Sequence, residues 1–304
     1  MTTAYLRPAF AALLALATGI PDATMAQSAV EDTDGIVVTG EAARVEEIRK
    51  EARAFVAAAS APPIDGQLAR WNSPLCPHVT GVDDAVASRV VARVRALASQ
   101  VGAPVDKADC RTNIVITFTP DARELIGTME RKSSRLLEGT STPDKLAIRT
   151  QPGAVRWWYK TITEGADGSQ FSGSSAALTG IIDTPSSGDQ RFLDTRSSSL
   201  IRTKFRVSLR TATVLVDVPA STGYRLNDVA DYVGFVLLAR VGMTAKLADA
   251  DSILSLFTRG PEQARGLSDW DRAYLSALYR TPVDRDADKQ RGLIANEMVK
   301  DIAK

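Results

Sequence analysis

The sequence predicts an α+β fold in which a mixed, mainly antiparallel sheet packs against helices. Apolar residues recur at helical spacing in several long segments, and short runs rich in β-branched and aromatic residues lie between them. The apolar and charged fractions, 44% and 24%, are ordinary for a globular protein. The length suits one large domain, which we place at 41–304.

The stretch Leu226–Gly242 predicts the central helix of this domain. Nearly all of it is apolar, so we expect most of its surface to be buried. We expect Asn227 to cap its start and Gly242 to end it. Asp228 and Asp231 would complement the positive end of the helix.

The remaining elements follow from the same periodicities. We expect further helices at 41–59, 83–101, 120–137, 268–279 and 284–302, and strands at 36–39, 113–118, 155–163, 201–209 and 213–218. The last two runs have no tight turn between them, so they form either one bent strand or two neighbours. Gly102 should end its helix, and Ser268 with Asp271 should form a capping box. Segment 70–79 looks irregular, and 165–190 is a mobile Gly/Ser-rich loop of the kind that is often functional or disordered.

The N-terminus predicts export. Arg7, the apolar run 9–20 and a small-residue site that ends at Ala26 are typical of a signal peptide. A membrane anchor is the alternative, but the apolar run is shorter than the roughly 20 residues that a span needs. We therefore expect a periplasmic or secreted protein whose acidic segment 27–40 is flexible.

Two cysteines, Cys76 and Cys110, most simply form one disulfide in an exported protein. Closing the loop from 77 to 109 would stabilise the fold by roughly 3–4 kcal/mol. The alternatives are two free thiols, or a metal site that also includes His78. That metal site would lack a fourth ligand and the usual spacing.

Composition and motifs exclude several function classes. The net charge of +1 argues against bulk electrostatic binding to nucleic acid or to an anionic membrane. His78 is the one histidine, and the sequence contains no G-x-S-x-G elbow, phosphate-binding loop or plausible dinucleotide motif. We expect no catalytic residue, cofactor or bound metal, although Asp228 and Asp231 could help to hold Ca²⁺.

Two surfaces are candidates for binding. Alternation over 201–209 predicts a half-buried strand whose outer face carries Arg202, Lys204, Arg206 and Arg210. This face could bind an anionic polysaccharide, a lipid head group or an acidic peptide, or it could be a solvated edge that resists aggregation. Trp157 and Trp158 could stack on a ligand, or place one ring in the core and one over an edge.

The order of elements from Val82 to Tyr279 resembles a zincin-type metallopeptidase domain. In that family a helix with H-E-x-x-H precedes a Ser-Ile-Met-type turn and a helix of the pattern L-T-x-x-D-x-x-x-L-x-x-L-Y. Segments 251–254 and 267–279 carry the likeness. Aligned on them, the functional positions of the family hold Ala230, Asp231, Gly234 and Arg240. Since every zinc ligand is absent, the resemblance implies the fold and a groove at these residues, without the activity.

The mature chain is also similar to a family of exported Gram-negative proteins of unknown function. The shared features are an IVVTG-like start, an ARW…LCP segment, a C-x-x-N-I-V-I-x-F strand, an ADY helix and an LSDWDRAYLxxLY tail. Residues 36–39 resemble the start of many mature TonB-dependent receptors, which would imply contact with an energy-coupling protein. The alternative for these four residues is an edge strand or a tether.

These observations favour a non-catalytic, pseudo-metallopeptidase-like binding or accessory protein of the cell envelope. Its partner would be a peptide, a glycan or an envelope protein. The alternative is a non-metal hydrolase in which Asp231 is the acid or base, with its pKa raised by apolar surroundings. A third interpretation is an accessory subunit of an outer-membrane complex, to which residues 36–39 alone point.

Overall fold

The computed structural model describes residues 33–107, 109–169, 202–245, 247, 251–263 and 266–304, and of 33–39 the backbone alone. The expected signal peptide and most of the Gly/Ser-rich loop lie outside these residues. The chain divides into two units, Met1–Glu41 and Ala42–Lys304. Within the described part, no helix is long and apolar enough to cross a membrane.

The described elements alternate between helix and strand in the first half of the chain and are mainly helical in the second. The helices are α1 Thr33–Ala59, α2 Asp84–Gln100, α3 Ala122–Lys132, α4 Thr142–Thr150, α5 Leu226–Leu238, α6 Leu256–Arg259, α7 Asp269–Arg280 and α8 Ala287–Ile302. The strands are β1 Pro77–Thr80, β2 Ile114–Thr119, β3 Val155–Gly165 and β4 Phe205–Asp217.

The strands form one mixed sheet in the order β1-β2-β4-β3. The α+β prediction is confirmed, but the expectation of a mainly antiparallel sheet is wrong. The pairs β1–β2 and β2–β4 are parallel, and β3–β4 alone is antiparallel. The physical reason is β1, which lies inside the segment expected to be irregular. Helix α2 then becomes the crossover that a parallel pair requires.

Strand β4 is one long strand, so of the two alternatives for its two runs the bent strand is confirmed. Its register with β3 shifts between Lys160, which pairs with Thr211, and Thr161, which pairs with Leu209. Arg210 is therefore an extra residue in β4. Such a bulge bends a strand without ending it.

Two local predictions are wrong because neighbouring structure overrides sequence preference. Residues 36–39 lie in α1 and not in a strand. Their β-branched side chains favour strands, but extending an existing helix costs far less than starting one, and the strongly helical 41–59 follows directly. Helix α4 was not predicted, although Ser141 caps it by accepting a hydrogen bond from the Asp144 N–H.

Helix α5 is the buried centre of the fold, as its composition predicts. Every residue from Asp228 to Leu238 is buried. Its ends differ from the prediction, because Arg225 and not Asn227 stands at the N-cap position, and the helix stops at Leu238, four residues before Gly242.

The end of α5 needs no glycine because aromatic side chains satisfy its carbonyl groups. These bonds run from Tyr159 Oη to Val236 O (2.5 Å), from Trp71 Nε1 to Leu237 O (2.7 Å) and from Tyr279 Oη to Leu238 O (2.9 Å). Trp157 Nε1 donates to Val241 O (2.9 Å), just beyond the helix. The last carbonyls of a helix otherwise lack partners. The aromatic donors therefore fix α5 to β3, to α7 and to the chain before β1.

The disulfide between Cys76 and Cys110 is confirmed, with the Cα atoms 5.9 Å apart. Both sulfurs are bonded to each other, so the free-thiol and metal alternatives are wrong. Asn113 joins the same two segments, since its Oδ1 accepts from the Cys76 N–H (2.8 Å) and its Nδ2 donates to Pro74 O (2.9 Å). The bridge therefore holds the chain before β1 against the start of β2.

The capping box of Ser268 and Asp271 at the start of α7 is also confirmed. The Asp271 carboxylate reaches further and accepts from Ser252 Oγ and from the Ile253 N–H, both at 2.7 Å. Burial raises the pKa of Asp271. One buried carboxylate therefore joins the turn at Ser252 to α7.

Candidate functional site

The groove positions expected on α5 lie under α2. Ala230 and Asp231 are buried, and a Cβ atom added to Gly234 would lie 2.9 Å from Leu97 Cδ2. Asp231 and Gly234 therefore lie in a contact between α5 and α2, through Arg93 and Leu97. Arg240 lies beyond the end of α5, so it is not part of this contact.

Both oxygens of the Asp231 carboxylate accept hydrogen bonds from Arg93. Arg93 donates from Nε to Oδ1 (2.6 Å) and from Nη2 to Oδ2 (2.8 Å), and this contact raises the pKa of Arg93. Asp231 is 1% exposed. A carboxylate that water and substrate cannot reach is a poor general acid or base.

The possible calcium ligand Asp228 is likewise in an ion pair, with Arg225 Nε 2.8 Å from its Oδ2. Within the described residues, no group of three or more His, Cys, Asp or Glu side chains is placed to hold a metal ion.

The predicted basic face lies only partly on β4, because Arg202 and Lys204 precede Phe205, where the strand begins. Arg206 Nε lies 2.8 Å from Glu164 Oε1, and Arg202 Nε lies 3.6 Å from Asp284 Oδ2. Lys204 and Arg210 are exposed. Acidic partners therefore offset the charge of two of the four basic residues.

A cleft opens beside Trp157, where the start of β3, the end of α5 and the segment 254–258 meet. We call it the aromatic cleft and define it by Val155, Trp157, Tyr232, Met243, Leu254 and Phe257. It holds about 660 Å³ of empty space, part of which is open solvent. Among the described residues, no charged side chain lines it.

Three aromatic rings form a wall of this cleft. The ring centroids of Trp157 and Tyr232 are 6.0 Å apart at 69°, and those of Tyr232 and Phe257 are 5.0 Å apart at 66°. These are edge-to-face contacts, which aromatic pairs prefer. Trp157 and Trp158 are 5% and 4% exposed, so they form no exposed stacking platform, but Trp157 presents its ring to the cleft.

The hydroxyl group of Tyr232 has no hydrogen-bond partner among the described residues, whereas buried Tyr159, Tyr274 and Tyr279 each have one. Tyr232 is 8% exposed and lines the cleft. Burial raises its pKa, so the hydroxyl keeps its proton and can donate it to an acceptor. Because Tyr232 lines the cleft and its hydroxyl has no described partner, that hydroxyl can donate to water or to a ligand there.

A second pocket adjoins the aromatic cleft and shares Trp157, Val241 and Met243 with it. We call it the polar pocket and define it by Thr140, Ser141, Asp144, Tyr159, Thr161 and Arg240. It holds about 360 Å³ of empty space, part of it open solvent. Of the four predicted groove residues, Arg240 alone lines one of these two pockets.

Comparisons with known proteins identify no relative, since no family model, curated protein or solved structure matches the chain. The zincin resemblance stays a prediction. Sequence reasoning missed Tyr232, Phe257 and Asp144 as site residues. Tyr232 looked like one more apolar position of α5, and nothing local signals that its hydroxyl lacks a partner.

Proposed function

We propose that this chain is a non-catalytic binding protein of the cell envelope, and that it holds the apolar body of a small ligand in the aromatic cleft. The observation that carries this proposal is the Tyr232 hydroxyl, which has no partner among the described residues and lies on a residue that lines an apolar cleft. Ligand sites are typically apolar hollows with a few well-placed polar groups. The signal-peptide pattern and the disulfide support an envelope location.

The chemistry of the cleft restricts the ligand. Flat apolar groups fit the wall of Trp157, Tyr232 and Phe257, and burial of their surface contributes about 25 cal/mol per Å². Tyr232 offers a hydroxyl donor, so the ligand should carry one acceptor near its apolar part. A cationic group would be desolvated there without a carboxylate to compensate it.

Titration with N-phenyl-1-naphthylamine, whose fluorescence rises in apolar surroundings, tests this function. The full chain, purified from the periplasm, should show saturable binding. Ala245→Phe adds a ring inside the cleft and should weaken binding at least about tenfold, since the added ring occupies the ligand volume. Leu146→Phe adds a ring on the exposed face of α4, where Leu146 is 61% exposed, and should leave binding unchanged.

Two outcomes would contradict the proposal. One is the absence of saturable binding by the folded wild-type chain. The other is equal affinity for Ala245→Phe and wild type, which would place the probe outside the aromatic cleft. Circular dichroism of each variant checks that the fold is retained.

A further inference from the structure

The polar pocket contains an arginine with most of its donors open. Arg240 Nη1 donates to Pro62 O, and no other hydrogen bond or ion pair of its guanidinium involves a described residue. A guanidinium has five N–H donors in one plane. The group is partly buried, and desolvation lowers the pKa of Arg240. Moving unpaired N–H donors out of water costs free energy unless another acceptor takes the place of the water.

A carboxylate is the acceptor whose shape fits this guanidinium. Arginine and carboxylate form two parallel N–H···O bonds in one plane. Thr140 Oγ1 lies in the same pocket, is buried, and has no described hydrogen-bond partner. Thr140 therefore adds a second unpaired donor to the lining of this pocket.

Asp144 sets the limit on the anion's charge. Its Oδ2 accepts from Ser141 Oγ (2.9 Å), and its Oδ1 accepts from the N–H (3.2 Å) and the hydroxyl (3.3 Å) of Thr244. These donors hold the carboxylate in place, and it forms no ion pair with Arg240 within the described structure. Its negative charge still lines the pocket. A singly charged anion is therefore favoured over a dianion such as hydrogen phosphate.

The negative end of α5 also faces this region, and it would repel an anion if its carbonyl groups were open. They are not open, because Tyr159, which lines the polar pocket, donates to Val236 O, while Trp71 and Tyr279 donate to Leu237 O and Leu238 O. The aromatic donors reduce the opposing field at the place where Arg240 presents its positive charge.

We infer that Arg240 binds the carboxylate of an apolar monocarboxylic acid whose body occupies the aromatic cleft. This inference rests on the proposed function. The two pockets share Trp157, Val241 and Met243, so the acid group and the apolar body of one ligand would lie on adjoining walls.

Calorimetry with 1-naphthylacetic acid and its neutral amide, 1-naphthylacetamide, tests the inference near neutral pH and at low salt. The two probes share an apolar body and differ in charge. The wild-type chain should bind the acid about 10- to 100-fold more tightly, because charge-assisted bonds are lost in the amide. Arg240→Gln should bind both probes equally, with the amide affinity as in wild type.

Two variants separate the local contact from net charge and from folding. Arg210→Gln removes an exposed arginine of β4 and should keep the preference for the acid. Arg240→Lys keeps the charge but not the planar fork, and it should retain a smaller preference. If Arg240→Gln does not fold, Arg240→Lys still tests the inference. An acid-over-amide preference as large as that of wild type would show that the planar guanidinium does not bind the carboxylate.

The failures of the two proposals are distinguishable. Equal wild-type affinity for acid and amide would overturn the carboxylate site and leave the aromatic cleft intact. If the folded wild-type chain binds neither the acid nor the amide, and does not bind N-phenyl-1-naphthylamine, the proposed function itself would be overturned. Competition by inorganic phosphate as strong as by the acid would contradict the selection of single charge by Asp144.

Discussion

At the scale of single residues, glycines decide how closely the elements approach. Gly81 follows β1 and has φ +83°, and a Cβ atom there would lie 1.9 Å from Phe118 O. The turn from β1 into α2 therefore crosses directly against the backbone of β2. Gly102, at the end of α2, has a similar φ of +79°, but nothing lies within 4 Å of its Cβ position.

Gly81→Ala should therefore destabilise the fold much more than Gly102→Ala. At Gly102 the cost is that of a left-handed conformation, about 1–2 kcal/mol. At Gly81 the clash with a backbone carbonyl adds to it, and we expect at least about 3 kcal/mol. Urea unfolding of both variants measures the difference. Equal losses would mean that the β1–α2 turn moves away from β2 at little cost.

The hydroxyl of Tyr232 is a second residue-scale feature, because it stabilises nothing in the described structure. Tyr232→Phe should leave the free energy of unfolding within about 0.5 kcal/mol of wild type or raise it, since no hydrogen bond is lost. The same variant should bind 1-naphthylacetamide more weakly than wild type. A clear loss of stability would show that the hydroxyl has a structural partner and would remove the observation behind the proposed function.

At the scale of elements, the end of α5 depends on side chains from distant segments. The hydroxyl of Tyr279 in α7 donates a hydrogen bond to Leu238 O, and that of Tyr159 in β3 donates to Val236 O. The helix can therefore stop inside the core without the glycine turn whose backbone N–H groups often bond to such carbonyl groups. Tyr159 Oη also accepts from the N–H of Val241 (3.3 Å), which lines both pockets.

Tyr279→Phe should destabilise the protein by about 1–2 kcal/mol, because it leaves the buried Leu238 carbonyl without a donor. Tyr232→Phe is its matched control, since the same atom is removed from a buried tyrosine that has no described partner. Urea unfolding of the two variants under identical conditions makes the comparison. If both changed stability equally, the aromatic donors would not account for the end of α5.

At the scale of the whole molecule, the predictable features are those that local sequence determines. Short-range pattern determines the periodicity of α2, the apolar character of α5 and the capping box at Ser268. The cysteine pair follows from residue count. The first parallel pair of the sheet depends on β1, four residues whose partner strand begins more than thirty residues later. The candidate site depends on three segments distant in sequence, so no local pattern could indicate it.

The disulfide joins the chain before β1 to the start of β2 across a sequence separation of 34. Replacing both Cys76 and Cys110 by Ala should lower the free energy of unfolding by roughly 3–4 kcal/mol, since the unfolded chain regains the entropy of an open loop. Asn113 still bonds to Cys76 N and to Pro74 O in the native state, so the fold should survive. Urea unfolding with and without reductant measures the effect, and reductant should destabilise wild type but not the double variant. A loss below about 1 kcal/mol would contradict the loop-entropy argument and show that the Asn113 contacts alone hold β1 on β2.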